Sequence, residues 1–183
     1  MKCSPIKKRI LFIQKVPMRV ELVSEAQHES LVDLLLELHT FYNDGSELSR
    51  LVVQEHLLQN ILAPMSPLRL VVACSDEGTV VGFAAMTLTY SLVDPMPEKN
   101  RQVQLKELYV LSGRRCLGVG KAILAWVAQY ALDNGCCRVD WPVKSSNTQG
   151  ISFYESLGAE RVTERLSYRL DGLRLRALAS MQE

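Results

Sequence analysis

The chain has 183 residues, 48% hydrophobic and 22% charged, which suits one globular domain long enough to bury a core. Lys plus Arg number 21 against 20 Asp plus Glu, so the strongly basic balance of a dedicated nucleic-acid binder is missing. No apolar run approaches the ~18 residues that cross a bilayer, and five cysteines without C-x-x-C spacing argue against a disulfide framework or a zinc site.

The first segment, residues 1–17, mixes lysines with the short apolar run Ile10–Ile13. Gln14 and Lys15 break that run too early for a signal peptide. It reads as an extension before a single domain of residues 18–183, with a cytoplasmic location by default. "VSEAQHESLVDLLLELHTFY" then places leucines at 31, 34, 35 and 38 on one helical face, with Ser24 and Gln27 as a capping box and "NDGS" as the stop. A second helical pattern runs through Val52, Val53, Leu57, Leu58 and Ile61 until Pro64 and Pro67. His28, His39 and His56 fall in these helices without H-E-x-x-H spacing, so they read as surface or packing residues and no metal is expected.

"LRLVVACSDEGTVVGFAAMTLTY" is a hairpin around Ser75–Gly78, and "SLVDPMPEKNRQ" is a polar connection. "VQLKELYVL" is a strand with apolar residues on both faces near its end, as in covered strands. Ile123, Trp126, Val127 and Tyr130 then form a helical stripe ending at Asn134–Gly135. "CCRVDWPV" reads as a strand whose far end, at Pro142, lacks a neighbour on one side. "NTQGISFYESLG" is a short helix, "AERVTERLSYRL" gives one or two closing strands, and a short helix follows Asp171–Gly172. Hairpins beside a strand–helix–strand unit make an α/β (α+β) fold with helices flanking a mixed sheet.

Between the covered strand and its helix lies "RRCLGVGKAIL", Arg114–Leu124. Unpaired N–H groups at a helix start, glycines that admit close approach, and adjacent cations together describe an anion site, best suited to a phosphate. A nucleotide P-loop fails because Arg115 and Ala122 occupy its first Gly and its Ser/Thr position; a dinucleotide fingerprint fails at Ile123. What remains is Arg115-x-x-Gly118-x-Gly120.

That pattern resembles the pyrophosphate loop, R/Q-x-x-G-x-G/A, of the GNAT acetyltransferases. "LKELYVL" before it looks like the strand that runs beside the cofactor, and "NTQGISFYESLGA" after it looks like that family's second signature. The order holds over roughly residues 68 to 160, and the spermidine/spermine-type branch is the nearest in look. Lys106, where some members carry an acidic residue, weakens the case for a polyamine acceptor.

The resemblance implies a mostly antiparallel sheet with a splayed strand pair holding acetyl-CoA as co-substrate, and acetyl transfer to a primary amine. Arg115, Cys116, Leu117, Gly118, Val119, Gly120 and Lys121 would hold the pyrophosphate. Leu108, Tyr109 and Val110 would line the cofactor, with backbone N–H groups around Tyr109 and Val110 polarising the thioester oxygen. Asn147, with Gly150, would bind the pantetheine arm, although Asn147 also suits plain helix capping. Glu107 is the candidate base, provided the strand register points it into the site. Tyr154 is the candidate acid, with Phe153 packing beneath. The acceptor reads as a small molecule such as a polyamine, amino acid or aminoglycoside, with no nucleic-acid or membrane partner. The alternatives are a protein lysine or N-terminal acetyltransferase, and a CoA-binding module without catalysis. Asp44, Glu47 and Glu55 make either an acidic rim for a cationic amine or an ordinary solvated surface. The family is compatible with a homodimer.

Overall fold

The computed structural model describes residues 18–182, so the N-terminal extension lies outside the described residues. Five strands form one sheet in chain order: β1 (Arg19–Leu22), β2 (Arg69–Cys74), β3 (Val80–Tyr90), β4 (Arg101–Val110) and β5 (Val139–Asp140). The first three pairings are antiparallel and the last is parallel. β1 has only four residues, too few for its alternation to announce it in the sequence.

The runs of Val, Ala and Leu in β2 and β3 make sense because both sheet faces are covered. On one face lie α1 (His28–Tyr42) and α2 (Arg50–His56), the latter continuing as a π turn, Leu57–Ile61. There Leu31, Leu34, Val53 and Leu57 pack with Val72, Phe83 and Tyr109. On the other face α3 (Val119–Asp133) sets Val119, Ile123, Val127 and Ala131 against Val71, Ala84, Met86 and Leu105. The stripe read from the sequence is therefore the buried face of α3, with Trp126 and Tyr130 half-buried and stacked at 5.3 Å. The expected capping box forms at the entry to α1: the Gln27 side chain accepts from the Ser24 N–H at 2.7 Å.

Gly82 of β3 is where α3 comes closest to the sheet. A Cβ there would meet Val119 Cγ1 at 2.9 Å, Ile123 Cδ1 at 3.1 Å and the Tyr109 carbonyl oxygen at 3.1 Å. Gly82→Ala is therefore expected to lower stability by about 1–3 kcal/mol, the usual penalty for overpacking, read as a lower denaturant midpoint at unchanged slope.

The chain divides into two compact units, the second beginning at Val143. That unit contains α4 (Thr148–Ser156) and α5 (Gly172–Ala179) and no strand among its described residues. The one or two strands expected in "AERVTERLSYRL" are not formed: residues 160–170 are exposed and non-strand throughout. A strand needs a ladder partner, and a unit built only of helices offers none. The strand expected in "CCRVDWPV" shrinks to Val139–Asp140, which meets β4 only at Val103 and Gln104. Both residues of β5 are used in these two pairs.

Candidate active site

The orientation of Glu107 turns on a bulge in β4. Met86 of β3 pairs with Leu105 but Ala85 pairs with Glu107, so Lys106 is an extra residue and is exposed. Val103 and Leu105, before the bulge, pack on the α3 face; after it Leu108 and Val110 take that face. The alternation has slipped by one, which sends Glu107 and Tyr109 to the α1 face. There the Tyr42 hydroxyl donates to Glu107 Oε1 at 3.4 Å. Burial, then the negative charge of Glu107 and this hydrogen bond, raise the Tyr42 pKa above the ordinary phenol value.

Two residues along, the buried Tyr109 donates its hydroxyl to Glu37 Oε1 at 2.9 Å, and the Ser112 N–H donates to the same oxygen at 2.9 Å. Burial first, then the bond to and charge of Glu37, push the Tyr109 phenol up to about 12, against a lowering contribution from Arg115. At neutral pH Tyr109 is thus a fixed hydrogen-bond donor.

The loop follows directly. A 3₁₀ turn, Ser112–Arg114, leads to Arg115, whose guanidinium lies 5.3 Å over the Tyr109 ring and 5.6 Å over the Phe41 ring. Its Nε donates to the Val110 carbonyl at 3.1 Å. Cys116 takes a left-handed conformation at φ 60°, and Gly118, the N-cap of α3, takes φ 85°. Nothing lies within 4 Å of a Cβ built on Gly118, so backbone conformation, not crowding, is what asks for glycine there. The N–H groups of Val119, Gly120 and Lys121 open α3, where a helix leaves its donors without intrahelical partners. The Val119 side chain is buried in the core, so only its backbone could serve a ligand, while Arg114, Arg115, Cys116, Leu117 and Lys121 are exposed. The first unit thus brings together Glu107, Leu108, Tyr109, Val110 and the whole of the Arg115–Lys121 loop.

In the second unit, Asn147 caps α4 by accepting from the Gly150 N–H at 2.9 Å. A Cβ on Gly150 would come within 2.6 Å of the Asn147 amide nitrogen, so Gly150 is glycine for the sake of the cap. Tyr154 is half-buried on the same helix, its ring 5.2 Å from that of Phe153.

Sequence reading passed over Glu37 as a site residue and took Phe41 and Tyr42 only as the end of the leucine face of α1. The available signal was a carboxylate three residues after Leu34 and a Phe–Tyr pair at the helix end. Among the described residues, no group of three or more His, Cys, Asp or Glu is placed to hold a metal ion, and no helix is long and apolar enough to cross a membrane.

A glycine-containing loop at a helix start, beside a bulged strand that presents a carboxylate, sets free backbone donors able to hold an anion next to a group able to take a proton. Residues 30–159 match the acetyltransferase (GNAT) family, and the chain belongs to it. It is similar to the thialysine N-epsilon-acetyltransferase of Mus musculus, 33% identical over 108 residues, which are 57% of this chain and 61% of that protein. It is also similar to the L-ornithine N5-acetyltransferase of Arabidopsis thaliana, 35% identical over 74 residues, 40% of this chain and 32% of that protein. The chain thus spans about three fifths of the length of the mouse relative. Among solved structures, an integron cassette protein from the mobile metagenome of V. cholerae matches with TM-score 0.80 and 28% identity, covering 88% of this chain and 97% of that one.

Proposed function

We propose that residues 18–183 act as one acetyltransferase domain that moves the acetyl group of acetyl-CoA directly to a primary amine of a small molecule. The observation that carries this reading is the β4 bulge, which turns Glu107 to the α1 face on the strand that runs into the Arg115–Lys121 loop. The names of the two curated relatives support a free amino-acid-type amine as the acceptor.

The chemistry assigns the roles. An alkylammonium with pKa ~10.4 needs roughly 4.6 kcal/mol to be presented neutral at pH 7, and Glu107, directly or through water, takes that proton. The amine nitrogen attacks the thioester carbonyl carbon, and the oxygen gathers negative charge that backbone N–H groups around Tyr109 and Val110 stabilise. The C–S bond then breaks, and the departing thiolate receives the Tyr154 phenolic proton, giving CoA and the amide. Arg115, Lys121 and the N–H groups at the start of α3 hold the pyrophosphate, and Asn147 serves the pantetheine arm. Cys116 lies in the pyrophosphate loop, away from the acetyl end, so transfer is direct rather than through an acyl-cysteine. A cytoplasmic location and a homodimeric assembly complete the proposal.

The test is a panel of amines and short peptides with acetyl-CoA, following CoA release. A small primary amine of the lysine or ornithine type is expected to exceed every peptide in kcat/KM. A peptide ahead by about tenfold, some 1.4 kcal/mol of transition-state preference, would move the assignment to protein acetylation. In parallel, acetyl-CoA is expected to raise the Tm of the wild type, because it binds only the folded loop. Gly118→Glu, which sets a bulky anion on the φ 85° position, should remove that rise.

A further inference from the structure

We propose that Glu37 is a positioning residue for the acetyl-CoA loop: it fixes the loop entry and the platform under Arg115, and so controls affinity for acetyl-CoA without taking part in the chemistry. This rests on the reading of Arg115–Lys121 as the pyrophosphate site.

One oxygen does two things. Glu37 Oε1 accepts from the backbone N–H of Ser112, the first residue of the turn that leads to Arg115, at 2.9 Å. It also accepts from the Tyr109 hydroxyl at 2.9 Å, and the Tyr109 ring is one of the two surfaces on which the Arg115 guanidinium rests. The second surface, Phe41, is one helical turn beyond Glu37 on α1, with its ring 6.0 Å from that of Tyr109. Backbone, platform and cation therefore converge on a single side chain of a packed helix.

A bare carboxylate beside an anion loop would repel a phosphate. Here both hydrogen bonds arrive at the oxygen that faces the loop, which blunts its charge, and the carboxylate serves as a scaffold. An exposed arginine on a loop loses much rotamer freedom when it clamps a phosphate. Resting it beforehand on two rings, with Nε already bonded to Val110, lowers that loss and should appear in binding rather than in turnover.

The experiment measures KM for acetyl-CoA, KM for the best amine, and kcat at saturation in the full chain, alongside thermal stabilisation by acetyl-CoA. Glu37→Ala is expected to raise the acetyl-CoA KM about tenfold or more, from the loss of two bonds to one charged group. Its kcat and amine KM should stay close to wild type. Glu37→Gln keeps an oxygen that can accept both bonds and should restore most of the affinity. Tyr109→Phe, which removes one donor, should fall between the two and carries the test if Glu37→Ala does not fold. An acetyl-CoA KM unchanged in a folded Glu37→Ala, or in Tyr109→Phe, overturns the proposal, as does an effect confined to kcat or to the amine KM. If wild type gains no stability from acetyl-CoA, the loop reading and this proposal fall together; if wild type gains it and Glu37→Ala gains as much, only the role of Glu37 falls.

Discussion

Tyr154→Phe is expected to lower kcat by ~10²–10⁴, the range that general acid–base groups supply, while the KM for acetyl-CoA stays near the wild-type value. The change removes one oxygen and keeps the ring, so the contact with Phe153 at 5.2 Å and the packing of α4 are preserved. Stability should shift by no more than about 1 kcal/mol, the worth of a typical hydrogen bond. The split between a large kinetic effect and a small thermal one separates a proton donor from a packing residue. A folded Tyr154→Phe with near-normal kcat would make Tyr154 part of the scaffold. Water would then have to protonate the thiolate, because α4 carries no second Tyr, His or Cys.

Glu107→Gln should behave differently. At pH 7 its kcat/KM is expected to fall by ~10² or more, because the protonated amine no longer has a base. The amide retains an oxygen for the Tyr42 hydroxyl, so the local geometry can persist. As pH rises toward the acceptor's own pKa near ~10.4, more amine is already neutral and the deficit should shrink. Wild type and variant thus converge at high pH if Glu107 is the base. Parallel pH profiles would assign Glu107 to binding the cationic amine instead. The variant also removes the negative charge that helps raise the Tyr42 pKa, so that phenol should titrate at lower pH than in the wild type. Stability held by protonated Tyr42 is present below the unfolded phenol pKa and lost as pH climbs through the raised one. The variant should therefore lose its share earlier on the alkaline side.

Much of this was legible in the chain. Leucines at 31, 34, 35 and 38 needed a helix, since only a 3.6-residue period gathers them on one face. Arg115-x-x-Gly118-x-Gly120 after a covered strand marked a tight turn into a helix, and the structure has the left-handed Gly118 and the helix start at Val119. Asn147 capping α4 was equally readable, because a side-chain cap is a local interaction. The closing strands were misread for the opposite reason. "AERVTERLSYRL" has strand-like residues, but a strand exists only through a partner, and pairing is not local information.

What the sequence determined by itself, then, was local: the helix faces, the Ser24–Gln27 and Asn147 caps, and the glycine pattern before α3. What only the tertiary structure decided was orientation. Period-two reading puts Val103, Leu105, Glu107 and Tyr109 on one face of β4, which would turn the candidate base toward α3. The extra residue at Lys106 breaks that parity and delivers Glu107 and Tyr109 to α1, where Tyr42 and Glu37 meet them. A bulge is set by pairing with the neighbouring strand, so its position depends on β3 and cannot be read from β4 alone. Glu37 follows the same logic. Its partners Tyr109 and Ser112 lie more than 70 residues further along the chain, and only the packing of α1 on the sheet brings them to one carboxylate oxygen.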